Sequence, residues 1–208
     1  SGTSNTMVLS DGGNTISIAS SSLVTNGSLL GGNGADVINI TGPGAQGTIN
    51  LGAGADSIQL GTTNIVTISN TEQVLGGTGA DTITFTGNTT VSLLASQGAD
   101  TVNCSSSGAE NIKYTAANQI GDTINGFASG TDKLIFKRGV FNGDANSDGA
   151  CDGLQILAGT SSSTGNYWVQ HNSTYDLYYD ADANGAGSGV LVANLDAAIA
   201  ATDIIFTG

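Results

Sequence analysis

The sequence predicts an all-β protein: a right-handed parallel β-roll or β-helix solenoid closed by a β-rich C-terminal cap. Three observations carry that reading. A glycine-rich stretch ending in Ala-Asp recurs as LGGNGAD (30–36), LGAGAD (51–56), LGGTGAD (75–81) and ASQGAD (95–100). Each copy runs into a short alternating strand (VINI, SIQL, TITF, TVNC), and a second set lies between them: TINL (48–51), VTIS (66–69), VSLL (91–94) and NIKY (111–114). Helix formers are scarce before Asp196, and the single proline and β-branched runs argue against disorder.

Aligned on Asp36, Asp56, Asp81 and Asp100, the copies step by 20, 25 and 19 residues. Apolar residues keep one phase in both strand sets, as in Ile38/Ile40, Ile49/Leu51, Ile58/Leu60, Val66/Ile68, Ile83/Phe85, Val91/Leu93, Val102/Cys104 and Ile112/Tyr114. A period of two puts each pair on one face. Two strands and two turns in roughly 20 residues make one solenoid coil, whose apolar face is covered only when neighbouring coils stack on it.

Taken in chain order, 1–30 reads as an N-terminal coil or cap with NTISI (14–18) as its strand, 31–136 as the roll, and 137–208 as the β-rich cap. The cap is expected to hold a loop at 144–152, a hairpin at Asn184-Gly185 and a short helix over 196–201. Tyr167, Trp168, Tyr175, Tyr178 and Tyr179 read as the core and rim of that cap, because a solenoid end must be covered; a sugar platform is the alternative.

Charge narrows the partners. Fifteen Asp and two Glu face only Lys113, Lys133, Lys137 and Arg138, for a formal net charge of −13. Nucleic acid and anionic membrane both require a basic face, so neither is expected as a partner. No apolar run approaches the roughly 20 residues of a membrane span. The start, SGTSNTMVLS, has neither the basic nor the apolar region of a signal peptide and lacks an initial Met, which suggests a piece of a longer protein. Cys104, in the apolar phase, reads as a small buried hydrophobe; a Cys104–Cys151 bridge is the alternative.

Positive-φ turns account for the glycines but not for an aspartate in every copy. Stacked coils would bring those carboxylates to about 5 Å from one another, where like charges repel. The chain lacks the Lys and Arg to separate them, so a hard divalent cation is expected. Ca²⁺ takes six to eight oxygens, and glycine turns offer bare backbone carbonyls. The candidate ligands are Asp36, Asp56, Asp81 and Asp100, with backbone oxygens of Gly31, Asn33, Gly52 and Gly54 and of Gly76, Thr78 and Gly79 around them.

The turns resemble the GGxGxDxUx nonapeptide of RTX (repeats-in-toxin) proteins, a calcium-binding β-helix repeat. GGNGADVIN and GGTGADTIT match at every defined position, LGAGADSIQ lacks the first Gly, and ASQGADTVN lacks the first two. The motif occurs once per coil rather than in tandem, so the ions are expected in one row along a single edge. IGDTINGFASGTDKLIF (120–136), YYDADANGAGSGVLVANL (178–195) and ATDIIF (201–206) resemble the block that follows RTX repeats in type I secretion substrates. The resemblance implies an uncleaved C-terminal export signal, a type I ABC exporter as partner, folding outside the cell where calcium is abundant, and a secreted or cell-surface location.

DANSDGACD (144–152) adds a second pattern. Asp144, Asn146, Asp148 and Asp152, with Gly149 sixth and the Ala150 carbonyl seventh, follow the D-x-[DN]-x-[DN]-G loop of EF-hand-like calcium sites. Gln155 replaces the usual final Glu, and an Asx-rich surface turn is the alternative. DADANG (180–185) has a similar rhythm but reads as a plain turn. No catalytic constellation emerges: GPGAQG (42–47) leads into a strand rather than a helix, no G-x-S-x-G or phosphate-loop Lys exists, and His171 has no partner motif. The expected function is therefore a calcium-dependent structural and secretion module rather than an enzyme, most simply part of a surface layer or adhesin. Self-association in a surface lattice or a cell-surface glycan would be its further partners. The alternative is a module appended to an exported protease, lipase, alginate epimerase or toxin.

Overall fold

The structure, a computed structural model, describes residues 5–19, 27–158, 166–183 and 189–208. Its strands alternate between two sheets. The first holds β1 (Thr6–Val8), β3 (Gly27–Leu30), β5 (Gln46–Asn50), β7 (Ile65–Ser69), β9 (Thr82–Phe85), β11 (Thr101–Asn103) and β13 (Asp122–Asn125) in that spatial order. It continues into β18 (Val190–Leu195), β17 (Leu177–Tyr179), β16 (Trp168–His171) and β15 (Leu154–Leu157). The second sheet stacks β2 (Thr15–Ile18), β4 (Val37–Ile40), β6 (Ser57–Gln59), β8 (Gln73–Leu75), β10 (Thr90–Leu94), β12 (Ala109–Tyr114), β14 (Lys133–Lys137) and β19 (Ile204–Thr207). Every pairing from β1 to β13 and along the whole second sheet is parallel, which makes the molecule a β-solenoid.

Parallel register puts like on like. Ile38, Ile58, Val74, Leu93, Ile112, Leu134 and Ile204 occupy one column between the sheets. All of them are buried. Val66, Ile83, Val102, Ile124 and Leu195 form a matching column on the first sheet. Each such side chain is worth about 1.5–3 kcal/mol of burial, so the columns supply the coil-to-coil adhesion that no single coil has.

The architecture departs from the sequence expectation in three places. QVL (73–75), too short and too polar to stand out, is strand β8 and pairs with both β6 and β10. Of the two readings of 1–30, β1 and β2 form a coil, and the solenoid runs past 136, where β18 and β19 from the C-terminal region add a further coil on β13 and β14. No helix forms over 196–201; one 3-10 turn, Ala201–Asp203, stands at its end. The hairpin expected at Asn184-Gly185 lies outside the described residues, while its flanks β17 and β18 pair antiparallel.

The aromatic residues close the C-terminal end of the core. Phe136 stacks on Tyr114 at 5.1 Å and meets Trp168 at 4.4 Å, and Trp168 meets Tyr179 at 5.0 Å. The Trp168 indole N–H donates to the Asn142 carbonyl (2.8 Å), and the Tyr179 hydroxyl accepts the Asn142 N–H (3.0 Å), so the polar ends of both rings are satisfied. Tyr175 is exposed and Tyr178 half-buried at the rim.

Candidate functional site

A coil has two turns, and they build opposite edges of the solenoid. Turns 31–36 and 51–56 carry the chain from the first sheet to the second, whereas 76–81 and 95–100 carry it back. The Gly-Asp motif therefore changes edge partway along, and the expected single row does not exist. The cause is β8. The 25-residue step from Asp56 to Asp81 consists of one coil of 16 residues, to Glu72, and a half-coil of nine.

On each edge the acidic residues stack in strict register just before a strand, and each accepts the backbone N–H of the residue one coil earlier. On the first edge Asn14 donates to Asp36 Oδ1 (2.8 Å), Asp36 to Asp56 Oδ1 (2.7 Å) and Asp56 to Glu72 Oε2 (2.7 Å). On the second edge Ala45 donates to Asn64 Oδ1 (3.2 Å), Asn64 to Asp81 Oδ1 (2.5 Å), Asp81 to Asp100 Oδ1 (2.8 Å) and Asp100 to Asp122 Oδ1 (2.9 Å). Asn14, Asn64, Glu72 and Asp122 were not singled out from sequence. Their signal is positional: each lies 16 to 22 residues from a motif aspartate.

These bonds use one carboxylate oxygen and leave the other short of partners. Asp36 Oδ2, Asp56 Oδ2 and Asp100 Oδ2 are buried without any hydrogen bond. Asp81 is better served, taking the Asn64 side-chain amide (2.8 Å) and the Gly77 N–H (3.2 Å), and Asp122 Oδ2 accepts the Tyr114 hydroxyl (3.0 Å). At the roughly 4.8 Å spacing of adjacent strands, two carboxylates repel by about 3–4 kcal/mol at an effective dielectric of about 20. A hydrogen bond to a charged group returns only about 1.5–3 kcal/mol, before desolvation is counted. Burial accordingly pushes the Asp100 carboxyl up to about 6 and that of Asp122 up to about 7, with the neighbouring carboxylate of the stack adding to each. Asp56 is raised by burial and by the Glu72 and Asp36 charges.

The donor set fits a hard divalent cation. Gly31 and Gly98 show why the turns exclude side chains. A Cβ on Gly31 would lie 2.6 Å from the Leu51 carbonyl carbon and 2.7 Å from the unpartnered Asp36 Oδ2. Gly98, at φ +140°, would place a Cβ 2.7 Å from the Gly79 carbonyl carbon and 3.0 Å from Asp100 Oδ1. At Gly31 the bare backbone thus lies beside an oxygen in need of a partner, whereas the Asp100 Oδ1 beside Gly98 already accepts the Asp81 N–H. The structure brings Gly31, Asn33 and Asp36 against Gly52, Gly54 and Asp56, with Asn33 bridged to Ala53. It brings Gly76, Thr78, Gly79 and Asp81 against Asp100 on the other edge, with Thr78 bridged to Gln97. The two groups do not meet.

The 144–152 loop lies apart, beyond β14, and its side chains are occupied. Asp144 forms an ion pair with Arg138 (2.7 Å) and accepts the Asp148 and Gly149 N–H groups, each at 3.0 Å. Asn146 accepts the Asp148 N–H, Asp148 accepts the Ala150 N–H, and Asp152 accepts the Ala145 N–H. His171 Nδ1 likewise lies within reach of the Ser173 and Thr174 N–H groups and 3.2 Å from the Ser173 hydroxyl, so it pins a turn. Cys104 and Cys151 are free thiols.

No protein-family profile matches the chain, and no curated protein matches it. The functional reading rests on the two edges.

Proposed function

We propose that this chain is a calcium-dependent structural module in which Ca²⁺ bound along both turn edges closes the solenoid. The observation that carries the reading is the set of buried, unpartnered oxygens of Asp36, Asp56 and Asp100 in glycine-rich turns, without a lysine or arginine paired to them among the described residues. Asp36 and Asp56 with the 31–36 and 51–56 turn carbonyls would hold ions on one edge, and Asp81 and Asp100 with the 76–79 turn on the other. Bound Ca²⁺ supplies positive charge between stacked carboxylates and completes their oxygen coordination. Ion binding of this kind favours only the folded state, so the coils stack when calcium is present.

The setting that suits such a module is the cell exterior, reached through a type I ABC exporter, with a structural role in a surface layer or adhesin. The acidic, Gly/Ser/Thr/Asn-rich composition and the repeat pattern support it. Circular dichroism decides the core of the proposal: millimolar Ca²⁺ should restore β signal that EGTA removes, with Mg²⁺ a poor substitute. An equally folded and equally heat-stable chain in EGTA would overturn it. The export arm needs point variants rather than removal of 196–208, because Ile204 and Phe206 are buried in β19 against β14.

A further inference from the structure

Past the coil where Val91 interrupts the first edge, the acidic register resumes with Glu110 and Asp132. Here the chemistry changes. The Cys104 sulfur, a Glu110 oxygen and an Asp132 oxygen all lie within 4.8 Å of one another. Glu110 is 1% exposed and neither of its oxygens has a partner at full hydrogen-bond geometry. The Ser105 hydroxyl and N–H lie close enough to favour its charge but do not offset burial, which raises its carboxyl. Asp132 is fixed from behind, its Oδ1 accepting the Glu110 N–H (2.9 Å) and its Oδ2 the Ala128 N–H (2.8 Å). The Ser105 hydroxyl takes the Gly108 N–H (2.7 Å) and shapes the turn between Cys104 and Glu110. Both ion pairs among the described residues lie elsewhere, at Lys133–Asp203 and Arg138–Asp144.

We infer that Cys104, Glu110 and Asp132 form a binding site for a borderline-soft divalent metal ion of the zinc class, on the same edge as Asp36 and Asp56 but separate from the calcium positions proposed there. A thiol is a poor ligand for Ca²⁺ or Mg²⁺, whereas one thiolate and two carboxylates suit Zn²⁺, which binds sulfur at about 2.3 Å and carboxylate oxygen at about 2.0–2.2 Å. Three protein ligands leave a fourth position for water. Tetrahedral coordination requires ligand atoms roughly 3.3–3.8 Å apart, a closure of about 1 Å that side-chain rotation can provide. Cys104 is only half-buried, which gives the ion a way in from solvent. On binding, the thiol S–H proton passes to solvent and the sulfur lone pair joins the metal; no oxidant or reductant is involved. Without metal, burial and the Asp132 and Glu110 charges hold the Cys104 thiol far above its ordinary pKa, so it stays protonated and unreactive.

Cobalt titration of the whole chain tests this independently of the calcium reading. With the protein held in millimolar Ca²⁺, Co²⁺ should give a near-ultraviolet thiolate-to-cobalt band that saturates at one equivalent and is bleached by Zn²⁺. Cys104→Ser should abolish the band with circular dichroism unchanged, Cys151→Ser should retain it, and Glu110→Gln should weaken Co²⁺ binding roughly tenfold or more. The inference is overturned if no thiolate band forms in the folded wild-type chain, or if the band survives Cys104→Ser. A band that appears in a chain whose fold ignores EGTA would leave this site standing and remove only the calcium proposal.

Discussion

The glycine–aspartate edges and the 144–152 loop carry similar calcium-like patterns in sequence and opposite electrostatics in structure. Along the edges, Asp36, Asp56 and Asp100 are buried, stacked on other acids and each left with an unpartnered oxygen. In the loop, Asp144 has Arg138 beside it, and the loop's own N–H groups take up the remaining side chains. A ligand-like residue pattern therefore does not establish a need for an ion. What distinguishes the edges is that register fixes buried acids one coil apart and leaves on each an oxygen that no hydrogen bond reaches.

The largest expected effect follows from withdrawing calcium. Amides of β4, β6, β9 and β11, which line both edges, should lose hydrogen-exchange protection in EGTA and regain it with Ca²⁺. If the 144–152 amides alone respond, the comparison is inverted and the loop is the calcium site.

Next in size is Asp81→Ala in calcium-loaded protein. Asp81 accepts three hydrogen bonds, whereas Asp100 accepts one. With each bond to a charged group worth about 1.5–3 kcal/mol, and non-additivity allowed for, the loss should be about 4 kcal/mol against about 2 for Asp100→Ala. Urea midpoints at fixed Ca²⁺ measure both, and equal losses would mean that the ladder bonds do not set the energy.

The pH dependence is smaller and changes sign with calcium. Asp100, Asp122 and Glu110 titrate near 6, 7 and 7 in the fold, in each case chiefly because burial raises them. The unfolded chain releases the same protons near pH 4. Between about pH 4 and 7 the folded state thus holds more protons, and its stability falls as pH rises through that window. Calcium-free protein should be more stable at pH 5 than at pH 8. With Ca²⁺ the order should reverse, because protons then compete with the ion for the carboxylates. Parallel trends with and without Ca²⁺ would argue against ion binding at the edges.

The smallest effect belongs to Arg138→Ala. A solvent-screened ion pair contributes little, so thermal stability should barely move and the calcium response of the roll not at all. A large loss of calcium affinity in this variant would place Arg138 in an ion site.

Much of the fold was legible because it is local. Alternation in VINI, TINL, VTIS and TITF marked strands whose in-phase apolar residues are buried, with Val37 of VINI outside the phase and exposed, and the glycine runs marked turns. The helix expected over 196–201 failed because small apolar residues there pack a coil corner, with Ile199 buried, and tertiary contact overrode propensity. Of the site, the four motif aspartates were legible, but not the partners that complete their rows.

The amino-acid sequence by itself determined the strands, their inward faces, the glycine turns and an excess of acid with little base to answer it. Only the tertiary structure decided which edge each turn occupies and which carboxylate lies over which N–H. Edge is a matter of strand parity, so the three-residue β8 moves every later turn to the opposite side. Partnership is a matter of register across 16 to 22 residues, which places Glu72 after Asp56, Asn64 before Asp81 and Asp132 over Glu110. No local pattern encodes those pairings, because they exist only once one coil lies on the next.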